Sequence, residues 1–207
     1  MDVIQKLSSA TGKRSKVANK AFAKEIAHQQ DSTSIRELVA LLDHSDRNIQ
    51  SDAIEVLYEC GYVRPDLIAP HLRYFVNLLS NKNNRLVWGA MIALSTISKT
   101  EPQTVYRFLP QIVQAMAKGS VITKDAGVAV YANLATLPDQ QAEVFTLLLK
   151  ELAACPSKQL PQYVEKSMIA IGDKNKGEFL KLIEDRMADL DKPSQTKRIN
   201  KALKSLK

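Results

Sequence analysis

Three histidines (His28, His44, His71) and two cysteines (Cys60, Cys155) are the side chains in this sequence best suited to metal or nucleophilic chemistry. A zinc site of the HExxH type needs two histidines four positions apart on one helix face, with a glutamate to activate water. No histidine here has a second one at that distance. His44, between Asp43 and Ser45 in a polar turn, reads as a capping or solvent-facing residue. The cysteines make no CxxC pair and no Cys/His ligand spacing, so they read as reduced thiols on packed helix faces. Gly12-Lys13-Arg14-Ser15 resembles the end of a phosphate loop, but the required earlier glycine would fall at Leu7 and no strand precedes it. Gly-x-Ser-x-Gly and Gly-x-Gly-x-x-Gly are both absent. The expectation is a protein with no catalytic constellation, no metal and no cofactor.

Charge points to partners more than to reactions. The net charge of +7 is unevenly placed: residues 1–30 carry +4, residues 31–173 carry −2 and residues 174–207 carry +5. The basic side chains concentrate in Lys13, Arg14 and Lys16 near one end and in Lys197, Arg198, Lys201 and Lys204 near the other. A nucleic-acid binder normally shows a basic stripe along its body, so the pattern is half of that signature. On a helix Lys197, Lys201 and Lys204 share one face, opposite Ile199, Leu203 and Leu206. That face reads either as the solvated end of an array or as a site for phosphate-rich or acidic surfaces.

The elements that must position these residues are helices. With 207 residues, 45% of them apolar, the chain can bury a substantial core, and few of its residues are the glycines or aromatics of a turn-rich sheet protein. Ile35, Leu38, Val39, Leu41 and Leu42, then Ile49, Ala53, Val56 and Leu57, recur in steps of three and four. Asp43-His44-Ser45-Asp46 breaks them, Ser34 with Glu37 has capping-box spacing, and Gly61 is expected to close the second helix. Further pairs follow over Leu67–Leu79 and Arg85–Ser98, Thr104–Ala117 and Val121–Leu137, Gln140–Ala154 and Leu160–Ile171, and Lys176–Leu190 and Ser194–Leu206. Pro110 falls inside one of these helices and predicts a kink or split there. Ala53, Ala90, Gly127 and Ser167 align at spacings of 37, 37 and 40 residues, all small, as closely stacked helix pairs require. The division expected is a basic helical cap over 1–32 and an array over 33–207, with units at 33–63, 64–100, 101–138, 139–173 and 174–207.

The run from Leu78 to Leu94, LLSNKNNRLVWGAMIAL, resembles a HEAT repeat, as does the run from Leu41 to Leu57, LLDHSDRNIQSDAIEVL. A leucine-rich helix leads to an Asp/Asn-rich turn, then an apolar residue (Ile49, Leu86) and a small-residue run ending in leucine. The basic residue common after that apolar position is Gln50 or Val87 here. The resemblance implies an all-α fold, a right-handed α-α superhelix of about five helix pairs plus N-terminal helices, with the second helices lining a concave face. It also implies a role in binding proteins and sometimes nucleic acid.

On that face Asn48, Asn84, Arg85, Trp88 and Lys124 are the candidate partner-binding rim. Arg85 and Trp88 stand three apart, where a cation beside an aromatic can grip a peptide or a base. The favoured reading of Trp88 is packing between units with its N–H satisfied locally. Asn48, Asn84 and Lys124 near successive helix starts read as a polar stripe or as caps. The leading expectation is a non-enzymatic scaffold that takes a protein partner. The alternative is a nucleic-acid-binding repeat protein resembling the HEAT-like alkyl-base DNA glycosylases, contacting nucleic acid through the basic termini. No apolar run nears the ~18 residues of a membrane span, and the first residues lack an export-signal layout, so a cytoplasmic location without membrane contact is expected.

Overall fold

The computed structural model describes residues 3–10 and 17–206, and among these every regular element is helical. The chain divides into two compact units, Met1–Ala126 and Gly127–Lys207.

The first unit opens with a 3-10 turn, Val3–Lys6, followed by α1 (Val17–Gln29) and α2 (Ser32–Ala40). Helix α2 starts three residues earlier than its capping-box spacing predicts. Asp31 is the N-cap and accepts from the backbone N–H groups of Thr33 and Ser34, both at 3.0 Å. A carboxylate holds two orphan amides at once, and the Ser34 hydroxyl donates to it as well (2.6 Å) instead of capping a helix of its own. Helix α3 (Arg47–Val63) is capped by Asp46, whose carboxylate accepts from the Asn48 N–H at 2.7 Å. Gly61 does not end this helix; it lies buried inside it. A Cβ there would come within 2.6 Å of Ile68 Cδ1, so glycine permits the close approach of the next helix.

The first helices of the next two pairs are broken. Residues expected as one helix over 67–79 form α4 (Pro65–Ile68), a 3-10 turn (Ala69–His71) and α5 (Leu72–Leu78), with Pro70 at the break. The split expected at Pro110 is present: α7 (Pro102–Tyr106) ends and α8 (Leu109–Lys118) begins with Pro110 in its first turn, where the missing N–H has no partner to lose. Between them lies α6 (Asn84–Ile97), capped by the Asn83 side chain, which accepts from the Arg85 N–H at 3.1 Å. Helix α9 (Val121–Leu134) begins in this unit.

Helix α1 packs on α3 as α3 packs on α6, so α1 joins the layer formed by the second helices. The small residues lie where the periodicity puts them: Ala53 and Ala90 are fully buried. A close approach falls one residue away, at Gly89, where a Cβ would meet Ile54 Cγ1 at 2.5 Å. Ile35, Leu38, Leu57, Phe75 and Leu94 fill the interior, each contributing roughly 1.5–3 kcal/mol of burial.

The second unit holds the rest of α9, with α10 (Gln141–Ala154), α11 (Leu160–Ser167), α12 (Lys176–Met187) and α13 (Pro193–Leu203). Helix α10 packs with α12 and α11 with α13, burying Leu148, Leu152, Val164, Phe179, Ile183 and Ile199. Arg186 on α12 closes the end of α10, donating to the Leu152 carbonyl (2.6 Å) and the Cys155 carbonyl (2.7 Å). A cation at the C-terminal end of a helix satisfies its last carbonyls and its dipole together.

Candidate binding surface

The N-terminal halves of α1, α3 and α6 carry a connected polar ladder across the layer of second helices. Asn19 on α1 is fully buried. Its carbonyl oxygen accepts from the Ser8 N–H (2.9 Å), and its amide donates to Asp52 (2.8 Å) and Glu55 (3.2 Å) on α3. Asp52 also accepts from the Ser9 N–H at 2.7 Å, which ties the N-terminal segment to α3. Arg85 on α6 donates to Glu55 at 3.1 Å, and its guanidinium lies 4.8 Å from the centre of the Trp88 ring.

An aromatic run continues from there. Trp88 is half-buried, with its ring 6.0 Å from Tyr58 on α3, and Tyr58 meets Tyr62 edge-on at 6.2 Å. Tyr58 is buried while Tyr62 is 55% exposed, so the run passes from packing into solvent within one helix. Burial raises the hydroxyl pKa of both tyrosines, helped by Glu55 and Glu59 at Tyr58 and by Glu59 at Tyr62. Among the described residues no acceptor is found for the Trp88 indole N–H, which sequence reading expects to be met locally. Trp88 therefore packs between helices and keeps a polar handle. Tyr58, which meets Trp88, and Tyr62, which meets Tyr58, are not suggested by the sequence around Trp88, because they lie 30 and 26 positions upstream. They stand four apart, i to i+4, and that spacing was the available signal.

The other rim candidates are not gathered with Arg85 and Trp88. Asn84 precedes Arg85 by one residue, about 100° around the helix, and lines a cleft beside α8. Asn48 is exposed in the first turn of α3, and Lys124 is half-buried on α9. Nor are Asn48 and Asn84 helix caps, which are Asp46 and Asn83. Those side chains reach the second N–H of each helix, which a residue already inside the first turn cannot do.

Lys13, Arg14 and Lys16 lie outside the described residues. Of the other N-terminal basic residues, Lys6 pairs with Glu25 at 2.8 Å and Lys20 with Glu59 at 3.4 Å. At the other end Lys197, Lys201 and Lys204 line one shallow concavity with Lys192, as their helical spacing predicts. Arg198 leaves this group. Its guanidinium forms a two-point pair with Glu165 on α11, which holds that carboxyl below the usual range and raises the Arg198 pKa.

His28 is exposed, and His44 accepts the Asp46 N–H at Nδ1 (3.0 Å), shaping the turn before α3. Both thiols are buried and unbonded to each other; burial pushes Cys60 up to about 11 and raises Cys155. Among the described residues no group of histidine, cysteine and carboxylate side chains could hold a metal ion, and no helix is long and apolar enough to cross a membrane.

No family model matches the sequence, and no curated protein matches it. Solved structures do. An engineered protein aligns over 100% of this chain and 99% of its own, with a TM-score of 0.64 at 18% identity. A designed armadillo repeat protein in complex with the peptide (KR)4 aligns over 99% and 98%, with a TM-score of 0.61 at 17% identity. A second designed armadillo repeat protein gives 0.60 at 17% over the same shares. Likeness at this identity defines the fold: the chain has the all-α fold of the helical-repeat solenoid proteins.

Proposed function

We propose that this protein is a non-catalytic binding module that holds a segment of a protein partner across the second helices α3 and α6. The observation that carries this reading is the run Arg85–Trp88–Tyr58–Tyr62. A cation and three rings are set in order, with the outermost ring and an indole N–H left to solvent. Aromatic and arginine side chains of this kind dominate the energy of protein interfaces, because they bury much area while losing little conformational freedom. The fold supports the reading, since a designed armadillo repeat protein of similar structure was solved with the peptide (KR)4. Within the repeat class, the broken first helices favour the three-helix armadillo form over the two-helix HEAT form. Two buried thiols suit a reducing compartment such as the cytoplasm.

The nucleic-acid alternative receives less support. Acidic Glu55 and Glu59 lie beside Tyr58 in the aromatic run, and Lys6 and Lys20 are paired with Glu25 and Glu59.

The test is affinity capture from a lysate at moderate salt after nuclease treatment, comparing the natural chain with Tyr62→Ala. Tyr62 is exposed, so its removal leaves the fold in place. A protein retained by the natural chain and lost with Tyr62→Ala supports the proposal. Capture of nucleic acid alone, abolished by nuclease, overturns it.

A further inference from the structure

A cleft of about 500 Å³ opens in the first unit between the α5–α6 turn and α8, away from the aromatic run. That volume is in the range of ligand sites. Its floor is apolar: Val76, Leu79, Val87 and Ala115 come to its surface while each stays less than 10% exposed. Its walls carry the amides of Asn77, Asn84, Gln111 and Gln114. Among the described residues none of these four side chains has a hydrogen-bond partner in the protein. The charged residues on its lining are Lys82 and Lys118, one from each side, and no carboxylate joins them.

The chemistry of this lining selects a ligand class. Each side-chain amide offers one acceptor and a pair of donors, which matches the N–H and C=O of a peptide group. Two lysines without an acid call for negative charge on the ligand. No aromatic residue lines the cleft, so a nucleobase would find no ring to stack on. No arginine offers the planar two-point fork that favours phosphate.

Spacing supplies the last constraint. Asn77 and Gln114 are 37 residues apart, the same interval as Ala53 and Ala90, so they hold equivalent positions in successive repeats. Packed helices lie roughly 8–10 Å apart. An extended chain in the polyproline II form advances about 3.1 Å per residue and returns every third side chain to one face, so one repeat corresponds to about three residues of a bound segment. Lys82 and Lys118 are 36 residues apart, close to one repeat.

We infer that this cleft is a second binding site, for an extended acidic peptide whose carboxylates recur every third residue. The wall amides bond its backbone, Lys82 and Lys118 take two successive carboxylates, and the apolar floor receives the side chain that points inward between them.

The test uses the full chain and a fluorescently labelled peptide with glutamate at every third position and serine between, followed by fluorescence anisotropy at physiological salt. Binding is expected, with a loss of about tenfold or more in Lys82→Glu/Lys118→Glu, since two charge-assisted contacts become repulsive. Both lysines are exposed, and an unchanged melting curve shows that the variant folds. Asn77→Ala/Gln114→Ala is expected to weaken binding several-fold without altering its salt dependence. Tyr62→Ala is expected to leave this peptide bound, which separates the cleft from the aromatic surface. Equal binding of an all-serine peptide overturns the assignment. An undiminished affinity in the charge-reversed variant does the same, as does an equal loss in Lys197→Glu/Lys201→Glu. Displacement by inorganic phosphate at matching charge would show a small-anion site and overturn the peptide reading.

Discussion

Arg85 reaches back 30 positions to Glu55, and the carboxylate it meets is only 2% exposed while Arg85 itself is 30% exposed. The pair is thus asymmetric: a buried acid depends on a cation that lies partly in solvent. Removing the cation leaves the carboxylate in the helix interface with less compensation, which costs far more than an exposed pair is worth. Arg85→Ala is expected to destabilise the first unit by about 3 kcal/mol. Adding Glu55→Gln should recover more than half of that loss, because the uncompensated charge goes too. Urea midpoints of the two single variants and the double variant measure this. An alanine pair at Arg85 and Trp88 therefore tests folding before it tests binding, and Tyr62→Ala is the cleaner probe of the surface.

Gly89 on α6 and Gly61 on α3 both permit the close approach of these two helices. A methyl group at Gly89 would sit 2.5 Å from Ile54 Cγ1 and 3.1 Å from Cγ2, both in a fully buried side chain. Gly89→Ala gains helix propensity but must push the two helices apart. The net cost expected is roughly 1–3 kcal/mol, the range of core overpacking. Ile54→Ala alone leaves a cavity; combined with Gly89→Ala it makes room for the new methyl group. The double variant should be clearly more stable than the sum of the two single effects predicts, in a denaturant-melting cycle.

The helical periodicity, the repeat interval and the split at Pro110 were legible in the sequence because each depends on local steric rules acting along one helix. What was not legible depends on contacts between helices. Gly61 reads as a helix stop until Ile68 is seen against it. Arg85 reads as a free rim residue until Glu55 is placed beneath it. Asn84 and Arg85 read as one site because they adjoin, yet one turns to the α8 side and the other to α3. The basic helix α13 divides for the same reason: Arg198 pairs with a carboxylate on α11, while Lys197, Lys201 and Lys204 line a concavity that Arg198 does not.

The turn between α1 and α2 rests on Gln30, which has φ of +55°. The Asp31 N–H donates to the Ile26 carbonyl at 3.1 Å, closing α1 with a left-handed residue where glycine is usual. A side chain at this φ costs roughly 1–2 kcal/mol, partly offset by the greater unfolded freedom of glycine. Gln30→Gly is accordingly expected to stabilise the chain by about 0.5–1 kcal/mol, seen as a higher melting temperature.

The next residue, Asp31, caps α2 through two amides and the Ser34 hydroxyl, and these bonds hold its carboxyl below the ordinary 3.8. Asp31→Ala is expected to cost about 1 kcal/mol at neutral pH, and Asp31→Asn distinctly less. Because the folded pKa is the lower one, the charged cap contributes fully above about pH 4–5 and its contribution fades as pH falls through the folded value. The difference between the natural chain and Asp31→Ala should therefore shrink in acid.

His71 gives a second pH dependence in a separate window. It ends the 3-10 turn between α4 and α5, half-buried, and burial together with the nearby Arg36 lowers its pKa below the ordinary 6.5. The unfolded chain then binds the proton more readily than the folded one. The stability gained by keeping His71 neutral is complete above about pH 6.5, and it declines as pH falls through the interval down to the folded pKa. His71→Gln should flatten the change in urea midpoint between about pH 7.5 and 5.5 relative to the natural chain, with carboxylate effects cancelling in the comparison. Arg36→Gln removes the repelling cation and leaves burial in place. It should move the His71 titration, followed by NMR of its ring protons, back towards 6.5 without restoring it fully. An unchanged titration in Arg36→Gln would mean that burial alone holds His71 neutral.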